Sequence, residues 1–316
     1  MATATPAVVA VIDIGSNSIK LLVANRGADG GLAVLHTRTF DARIGAGISR
    51  DRPSLSETGM ASALSAVRLL ASEAAAQGAT ELIIVATSAV RDASNGTDFR
   101  ERVRAAVGVA PRILTGDEEA ALIGRGLLCD PALRELRNFT VCDLGGGSLE
   151  CIGFAERAIR GKVSLPLGCV RLTERFVPDP TAPVPSNALA AVAAHTREGL
   201  VASGFDFNET RGVFLVGTGG TISTARAIFG RRAGRKFDAS NPLVTLDGLR
   251  DLMSEVAALR LAERQAIPGL AAARADVFPA ALATVVALLE HAGADAVHHS
   301  LCNLRYGIAA EALGLG

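Results

Sequence analysis

The sequence has very few aromatic residues and no excess of charge of either sign. Of its 316 residues only 4% are Phe, Trp or Tyr, and Trp is absent altogether. Proteins that bind nucleic acid by stacking its bases need several aromatic faces, so this composition argues against that function. The formal net charge is +0, which argues against a basic surface that attracts polyanions over long distances. We therefore expect no nucleic-acid partner, and an anionic ligand has to be held by local groups.

Cysteine is sparse as well, and the chain has no long apolar run. The absence of a C-x-x-C pair leads us to interpret all five cysteines as small core residues in a reducing compartment: Cys129, Cys142, Cys151, Cys169 and Cys302. No apolar run reaches about 18 residues. Residues 1–6 lack the basic and apolar pattern of a signal peptide. We expect a cytoplasmic protein with no membrane partner.

The chain contains two similar halves. Segments 9–18 and 139–148 are each a β-branched run that ends in Asp, an apolar residue, Gly and small polar residues. A second apolar run follows each of them, which predicts two β-hairpins. Segments 82–88 and 213–219 form a second similar pair, in which a strand runs into a turn. Such paired similarity indicates that one unit has been duplicated.

The spacing of the repeated turns supports the duplication. Asp13 and Asp143 are 130 positions apart, and Thr87 and Thr218 are 131 apart. The remaining patterns predict mainly helices, which alternate with strands as in α/β proteins. We expect helices at 56–76, 116–127, 186–202, 221–229, 246–265, 278–291 and 303–313, and short strands at 113–114 and 294–299. The predicted domains are 1–126, joined by the terminal helix 303–316, and 127–302.

The turn after Asp143 is the most informative segment. Gly145, Gly146 and Gly147 let the backbone approach a phosphate closely and point its N–H groups at the oxygens. The Asp143 carboxylate would repel a phosphate but suits Mg²⁺, and Glu150 on the return strand points to the same face. The alternative is that the glycines only allow a tight hairpin.

The segment Gly217-Thr218-Gly219-Gly220 lies between a predicted strand and a predicted helix. Backbone N–H groups at a helix N-terminus bind anions readily. The segment lacks both the Gly-Lys-Ser/Thr ending of a Walker A loop and the dinucleotide fingerprint. A turn needed only for packing is the alternative interpretation.

Two further groups of side chains have a possible role in phosphate chemistry. Arg91 follows the strand at 82–88, and its planar guanidinium suits phosphate oxygens, although a solvated surface residue is the alternative. Asp117, Glu118 and Glu119 open a helix whose capping box is formed by Thr115 and Glu118. They complement the helix dipole, or one of them deprotonates a water molecule. Residue types alone do not say which Glu would act.

Taken together, these segments resemble the exopolyphosphatase / guanosine pentaphosphate phosphohydrolase family, whose fold is shared by actin, the 70-kDa heat-shock chaperones and sugar kinases. Six segments carry the resemblance in the same order: 13–18, 86–96, 116–120, 143–150, 167–174 and 217–221. The resemblance implies an α/β fold of two duplicated actin-like (ribonuclease H-like) domains with an interdomain cleft. Near the C-terminus, segment 300–307 keeps only Ser, Leu, Arg and Gly of the family pattern, and a common Gly after 274–276 is missing.

The resemblance also implies roles for individual residues. Glu119 corresponds to the base that activates water, and Asp143 and Glu150 correspond to metal-binding carboxylates, supported by Asp13. The catalytic set that it implies is Glu119 with Arg91, which also lies in the phosphate cradle. The other members of the phosphate-binding set are Ser16, Asn17, Ser18, Gly145, Gly146, Gly147, Ser148, Gly217, Thr218, Gly219 and Gly220.

The activity implied is hydrolysis of terminal phosphates from inorganic polyphosphate, assisted by Mg²⁺ or alternatively Mn²⁺, in a homodimer. Guanosine pentaphosphate is the alternative substrate, since it requires the same chemistry. Phosphate transfer between a nucleotide and an acceptor is a third reading of the fold. A module that binds nucleotides or alarmones without hydrolysis is a non-enzymatic alternative, and Glu119 argues against it.

Overall fold

The computed structural model describes residues 7–207 and 214–315. The expectation for residues 1–6 and Val213 of the predicted strand 213–219 lie outside the described residues. The chain divides into two compact units, which we call the first unit (Met1–Arg134 with Cys302–Gly316) and the second unit (Glu135–Leu301). Of the helices described, none combines the length and the apolar character that a membrane span requires.

Strands and helices alternate along both units, as the sequence patterns predict. The strands are β1 (Val8–Ile14), β2 (Ile19–Arg26), β3 (Leu32–Phe40), β4 (Glu81–Ala86), β5 (Arg112–Ile113), β6 (Phe139–Leu144), β7 (Leu149–Ala155), β8 (Ala158–Leu165), β9 (Phe214–Thr218), β10 (Leu243–Thr245) and β11 (Ala296–His299). The helices are α1 (Glu57–Ala76), α2 (Ser88–Asp92), α3 (Gly96–Val107), α4 (Gly116–Leu127), α5 (Cys169–Phe176), α6 (Ser186–Ala202), α7 (Gly220–Arg232), α8 (Leu246–Ala258), α9 (Leu261–Gln265), α10 (Phe278–Ala292) and α11 (Leu304–Ala312).

The first unit is built on a five-stranded sheet in the order β3-β2-β1-β4-β5. Strands β1, β2 and β3 are antiparallel neighbours, whereas β4 runs parallel to both β1 and β5. The carboxyl ends of β1, β4 and β5 therefore meet at one edge of the sheet. Strand β1 is almost fully buried, as its continuous apolar run requires. Strand β3 is the outermost strand on one side of the sheet and is largely exposed.

Helices α4 and α11 of the first unit cross at very short range. A Cβ on Gly126 would overlap the carbonyl oxygen of Asn303, and one on Gly307 would overlap that of Leu122. The absence of both side chains therefore brings the two helix backbones into contact. Because α4 begins at Gly116, this crossing also fixes the position of the helix that carries Glu119.

The second unit has a six-stranded sheet in the order β10-β11-β9-β6-β7-β8. Strands β6, β7 and β8 form an antiparallel meander, and β9 runs parallel to both β6 and β11. Helix α10 is buried along almost its whole length, as its apolar sequence requires. The arrangement of β6 to β9 repeats that of β1 to β4, so the two hairpins and the duplicated order of elements are confirmed.

The spacing of the second pair of turns is corrected by the strand register. Asp13 is paired with Val85 in the first unit, and Asp143 is paired with Thr218 in the second. Equivalent positions of β4 and β9 are therefore 133 residues apart, whereas the sequence comparison of Thr87 with Thr218 gave 131. The two segments are related, but the turn after β4 is displaced by two residues from the alignment.

The prediction of one helix at 246–265 is wrong, because α8 ends at Ala258 and α9 begins at Leu261. Leu259 and Arg260 between them have extended backbone, and the Glu263 carboxylate accepts a hydrogen bond from the Arg260 amide at 2.8 Å. The break lets the fully buried Arg264 reach the loop between α5 and α6, where it donates to the carbonyls of Pro180 and Ala182 at 2.7 and 2.8 Å.

Candidate active site

At the edge of the first sheet where β1, β4 and β5 end, a short turn follows Ile14. The Gly15 amide donates to the Ser18 carbonyl at 3.2 Å and closes the β1–β2 hairpin. The Ser16 hydroxyl lies 3.1 Å from that of Ser88, the first residue of α2, so the turn is tied to the helix after β4. We call residues 15–18 the first turn.

Asn17, in the middle of the first turn, has an unusual environment. The residue is only 4% exposed, and within the described residues neither polar atom of its side-chain amide has a hydrogen-bond partner. Leaving such a buried group unsatisfied costs about 1–3 kcal/mol. A ligand that both donates and accepts hydrogen bonds, such as a hydrated or protonated phosphate, would remove that cost.

The structure distinguishes the two candidate glutamates at the start of α4. Glu118 closes the predicted capping box, since its Oε2 accepts from the Thr115 amide at 2.8 Å, and its Oε1 accepts from Arg112 at 2.8 Å. The backbone bond from Thr115, followed by the Arg112 guanidinium, lowers the pKa of Glu118 to about 2. Glu118 is therefore an ionised capping group.

Glu119, in contrast, is only 7% exposed and its carboxylate is held by Arg91. Arg91 Nη1 donates to Glu119 Oε2 at 3.0 Å and to the Leu114 carbonyl at 3.0 Å. Arg91 lies on α2, one turn after Thr87. The short helix directs the guanidinium at the start of α4, so the structure brings these two predicted site residues together.

In the second unit, the turn Gly145–Ser148 connects β6 to β7, and we call it the glycine turn. The Gly145 amide donates to the Ser148 carbonyl at 2.9 Å, as Gly15 does to Ser18 in the first turn. In the part of the chain that the structure describes, the amides of Gly146 and Gly147 donate no hydrogen bond. Two N–H groups of the turn are thus available to an anion.

Asp143 and Glu150 are direct partners across the β6–β7 hairpin and therefore lie on the same face of the sheet. They are 9% and 1% exposed, and the Ser164 hydroxyl donates to Glu150 Oε1 at 2.7 Å. Two neighbouring buried carboxylates repel each other unless a cation offsets their charge. Mg²⁺ binds one or two carboxylates and completes its shell with water and phosphate oxygens, so the pair fits this ion.

The residues described contain no group of three or more His, Cys, Asp or Glu side chains arranged to hold a metal. The register partner of Asp13 is Lys20, a cation that the sequence reading did not consider. The assignment of Asp13 to the metal stays a prediction.

The turn after β9 requires glycine for steric reasons. Gly219 has a φ of +87°, and a Cβ there would lie 2.5 Å from Asp143 Oδ1. Gly219 caps the 13-residue helix α7, whose first amides are available to an anion. Thr218 precedes it next to Asp143, and its fully buried hydroxyl has no hydrogen-bond partner among the residues described. The structure thus brings Thr218 and Gly219 to the carboxylate pair.

One cation at this turn was not identified from the sequence. A Cβ on Gly220 would overlap the guanidinium of Arg274, so this arginine lies directly against the start of α7. Arg274 comes from a loop more than 50 positions away, and no local pattern marks it. In the sequence, Arg274 belongs to segment 274–276, which is notable for the glycine missing after it and not for the arginine.

Comparisons with known proteins identify the family and the fold. The model of the Ppx/GppA phosphatase family matches residues 22–315. An exopolyphosphatase from Cytophaga hutchinsonii is 27% identical, with a TM-score of 0.87 over 97% of this chain and 98% of that one. A Ppx/GppA family member from Aquifex aeolicus is 24% identical, with a TM-score of 0.77 over 98% of each chain.

The second likeness concerns the fold alone, and both agree with two duplicated actin-like α/β domains. The family match begins at Leu22, after the first turn, and it includes Glu119, Arg91, the carboxylate pair and both glycine-rich turns of the second unit. Since it extends over nearly the whole chain, the chain belongs to the Ppx/GppA phosphatase family.

Proposed function

We propose that the protein is an exopolyphosphatase that releases orthophosphate from the end of an inorganic polyphosphate chain, with Glu119 as the general base. One observation carries the proposal: of the acidic residues that open α4, Glu119 alone is both buried and oriented by an arginine. A protein that only binds phosphate has no use for a buried carboxylate held in this way. A hydrolase needs one to accept the proton of the attacking water.

The reaction exchanges one phosphorus–oxygen bond for another. A water oxygen attacks the terminal phosphorus, its proton passes to Glu119, and the bond to the bridging oxygen breaks. Orthophosphate and a chain shorter by one phosphate are the products. Arg91 holds the Glu119 carboxylate through the 3.0 Å hydrogen bond, so that the base is oriented before substrate arrives.

Binding of the substrate is assigned to backbone groups and a few side chains. The amides of Gly146 and Gly147 and the first amides of α7 donate to negative phosphate oxygens, and the Asn17 amide gains the partners it lacks. Mg²⁺ held by Asp143 and Glu150 would offset negative charge on the phosphate oxygens; Mn²⁺ has the same preference for oxygen ligands. This division suits phosphoryl transfer, which depends on positioning and charge neutralisation.

The choice of polyphosphate as substrate is supported by the likeness to the Cytophaga hutchinsonii exopolyphosphatase. The test is a measurement of orthophosphate release in the presence of Mg²⁺ from polyphosphates of several lengths and from guanosine pentaphosphate. We expect the largest kcat/KM with polyphosphate. A larger value with guanosine pentaphosphate would assign the second substrate to the same chemistry, and nucleotide formed from ADP and polyphosphate would indicate phosphate transfer.

Two neighbouring variants test the catalytic assignment. Glu119→Gln removes the base and is expected to lower kcat by on the order of 10²–10⁴. Glu118→Gln is the matched control, because Gln at this position can still close the capping box, and its kcat should stay close to that of the unmodified protein. Equal rates for Glu119→Gln and the unmodified protein would disprove the assignment, and tight binding without any hydrolysis would indicate a sensor.

A further inference from the structure

The glycine turn is held from one side by the start of α5. The Cys169 amide donates to the Gly145 carbonyl at 3.0 Å, and the Val170 amide donates to the Gly146 carbonyl at 2.8 Å. The Arg171 side chain continues the series, since its Nε donates to the Gly147 carbonyl at 3.1 Å. Three consecutive carbonyls of the turn are therefore bonded to one short segment, residues 168–171, which we call the backing segment.

The backing segment can approach so closely only because Gly168 has no side chain. A Cβ at this position would overlap the backbone of Gly146 and Gly147. The backbone of Gly168 has a φ of −68°, which any residue adopts, so its conformation does not require glycine. The requirement comes from the space between the two backbones.

This contact determines which groups the glycine turn presents elsewhere. With the carbonyls of Gly145, Gly146 and Gly147 engaged by the backing segment, the amides of Gly146 and Gly147 are the groups left for a ligand. Amide N–H groups attract a phosphate, whereas carbonyl oxygens turned toward it would repel it. A peptide flip in this turn would therefore reverse its preference for anions.

The first unit has the same device. There the Gly45 amide donates to the Ser16 carbonyl at 2.8 Å, and the Arg43 amide donates to the Asn17 carbonyl at 3.0 Å. A Cβ on Gly45 would lie 2.6 Å from the Cβ of Ser16. In both units the segment after the third strand thus supports the hairpin turn through its carbonyls, with a glycine at the point of contact. Because the contact recurs in both units, we infer that it is part of the duplicated structure and has been retained with the turn.

We propose that Gly168 and Arg171 are positioning residues for phosphate binding: they hold the carbonyls of the glycine turn so that its amides face the substrate. The identity of the ligand as a polyphosphate rests on the function proposed above. The role inferred for the two residues rests on the hydrogen bonds of residues 168–171 and does not depend on which phosphate compound binds.

The experiment compares Gly168→Ala and Arg171→Gln with the control Gly161→Ala. Gly161 lies on β8 of the same unit, and the nearest atom to a Cβ there is Phe205 Cε2 at 3.7 Å, an ordinary contact. We expect Gly168→Ala to lower kcat/KM for polyphosphate by about a hundredfold, as a displacement of roughly 1 Å does. Arg171→Gln loses one hydrogen bond from a charged donor and should lose about tenfold, with KM changing more than kcat, and Gly161→Ala should change neither.

Binding is measured separately by titrating tripolyphosphate into the same variants in a Glu119→Gln background, so that the measurement does not depend on turnover. Weaker binding by Arg171→Gln, with its thermal unfolding midpoint unchanged, supports the inference even if no substrate is hydrolysed and the proposed function fails. Unchanged KM and unchanged tripolyphosphate affinity in Arg171→Gln would overturn the inference, as would absence of tripolyphosphate binding by the Glu119→Gln protein. If Gly168→Ala does not fold, Arg171→Gln decides the question.

Discussion

The hairpin turns of the two units have one backbone design and two different sets of side chains. Gly15 bonds to Ser18 in the first unit, and Gly145 bonds to Ser148 in the second, across the same two intervening positions. Those positions are filled by Ser16 and Asn17 in the first turn and by glycines in the second. The first turn therefore offers side-chain groups, and the second offers only amides. The two turns thus share their backbone hydrogen bond and differ in the chemical groups that they present.

The charges next to the turns differ even more. The aspartate at the end of β1 is opposite Lys20, so this pair is neutral, whereas the aspartate at the end of β6 is opposite Glu150, so that pair carries two negative charges. A buried anionic pair needs a cation and a neutral pair does not. We therefore predict that the metal binds in the second unit, because of this one difference on the return strand.

The largest effect is expected from exchanging the two aspartates for asparagine. Asp143→Asn removes one of the two carboxylates of the anionic pair, and we expect kcat/KM to fall by on the order of 10²–10³, as when one electrostatic group is removed from an active site. Asp13→Asn leaves Lys20 in place and should cost about tenfold, the lower end of the range for a supporting residue. Initial rates over a series of Mg²⁺ concentrations measure both effects.

The Mg²⁺ titration distinguishes loss of the metal from loss of the fold. The Mg²⁺ concentration for half-maximal rate should rise in Asp143→Asn and in Glu150→Gln, and stay unchanged in Asp13→Asn. An equal rise in Asp13→Asn and Asp143→Asn would mean that both units bind the metal, and the contrast drawn from the register would be wrong.

The next largest effect is a pH dependence of stability caused by a buried histidine near the turns of the second unit. His299 pairs with Gly217 across β11 and β9, is 3% exposed, and lies 3.2 Å from Arg226 through its Nδ1. Burial, then the charge of Arg226 and the neighbouring His298, lowers the pKa of His299 to about 4. The first unit has His36 instead, which is partly exposed and paired with Glu73 at 3.2 Å.

The sign of the pH dependence follows from this pKa. Between about pH 6.5 and 4 the unfolded chain binds a proton at His299 and the folded protein does not, so stability falls as the pH falls through this range. The full loss is ~3 kcal/mol for a shift of this size, and it should be largest below pH 4. His299→Gln should flatten the curve in this window. Urea unfolding followed by circular dichroism from pH 4 to 7 measures it, and parallel curves for both proteins would refute the assignment.

The parts of the fold predicted well from the sequence are those whose determinants are local. The hairpins at 9–24 and 139–155 are bounded by apolar runs and tight turns, and α1 and α4 begin at capping residues, Ser56 and Thr115, that the sequence displays. The family resemblance then connected Glu119 with the glycine turns. Local signals of this kind are sufficient to identify the family.

The features that the sequence patterns do not predict depend on contacts between residues far apart in the chain. The break after α8 serves Arg264, which bonds to carbonyls more than 80 positions earlier. Gly168 and Arg274 are defined by backbones that they meet only in the folded chain. Strands β3 and β8 are edge strands with mixed exposure, so they lack the continuous apolar run that marked β1 and β6. Periodicity cannot report such contacts.

The smallest effect is expected at Asn17 in the first turn, where a substitution should change stability and ligand binding in opposite directions. Asn17→Leu replaces a buried amide that has no partner among the described residues by an apolar group of similar size, and should stabilise the ligand-free protein by about 1–3 kcal/mol while weakening polyphosphate binding. Asn95→Leu is the matched control, since that amide bonds to the Leu55 amide and carbonyl at 2.8 and 2.9 Å. It should destabilise by a similar amount because both Leu55 groups lose their partner. Thermal unfolding with and without tripolyphosphate measures the change in stability of each variant and the stabilisation by the ligand. A loss of stability in ligand-free Asn17→Leu would show that the Asn17 amide supports the fold and not the ligand.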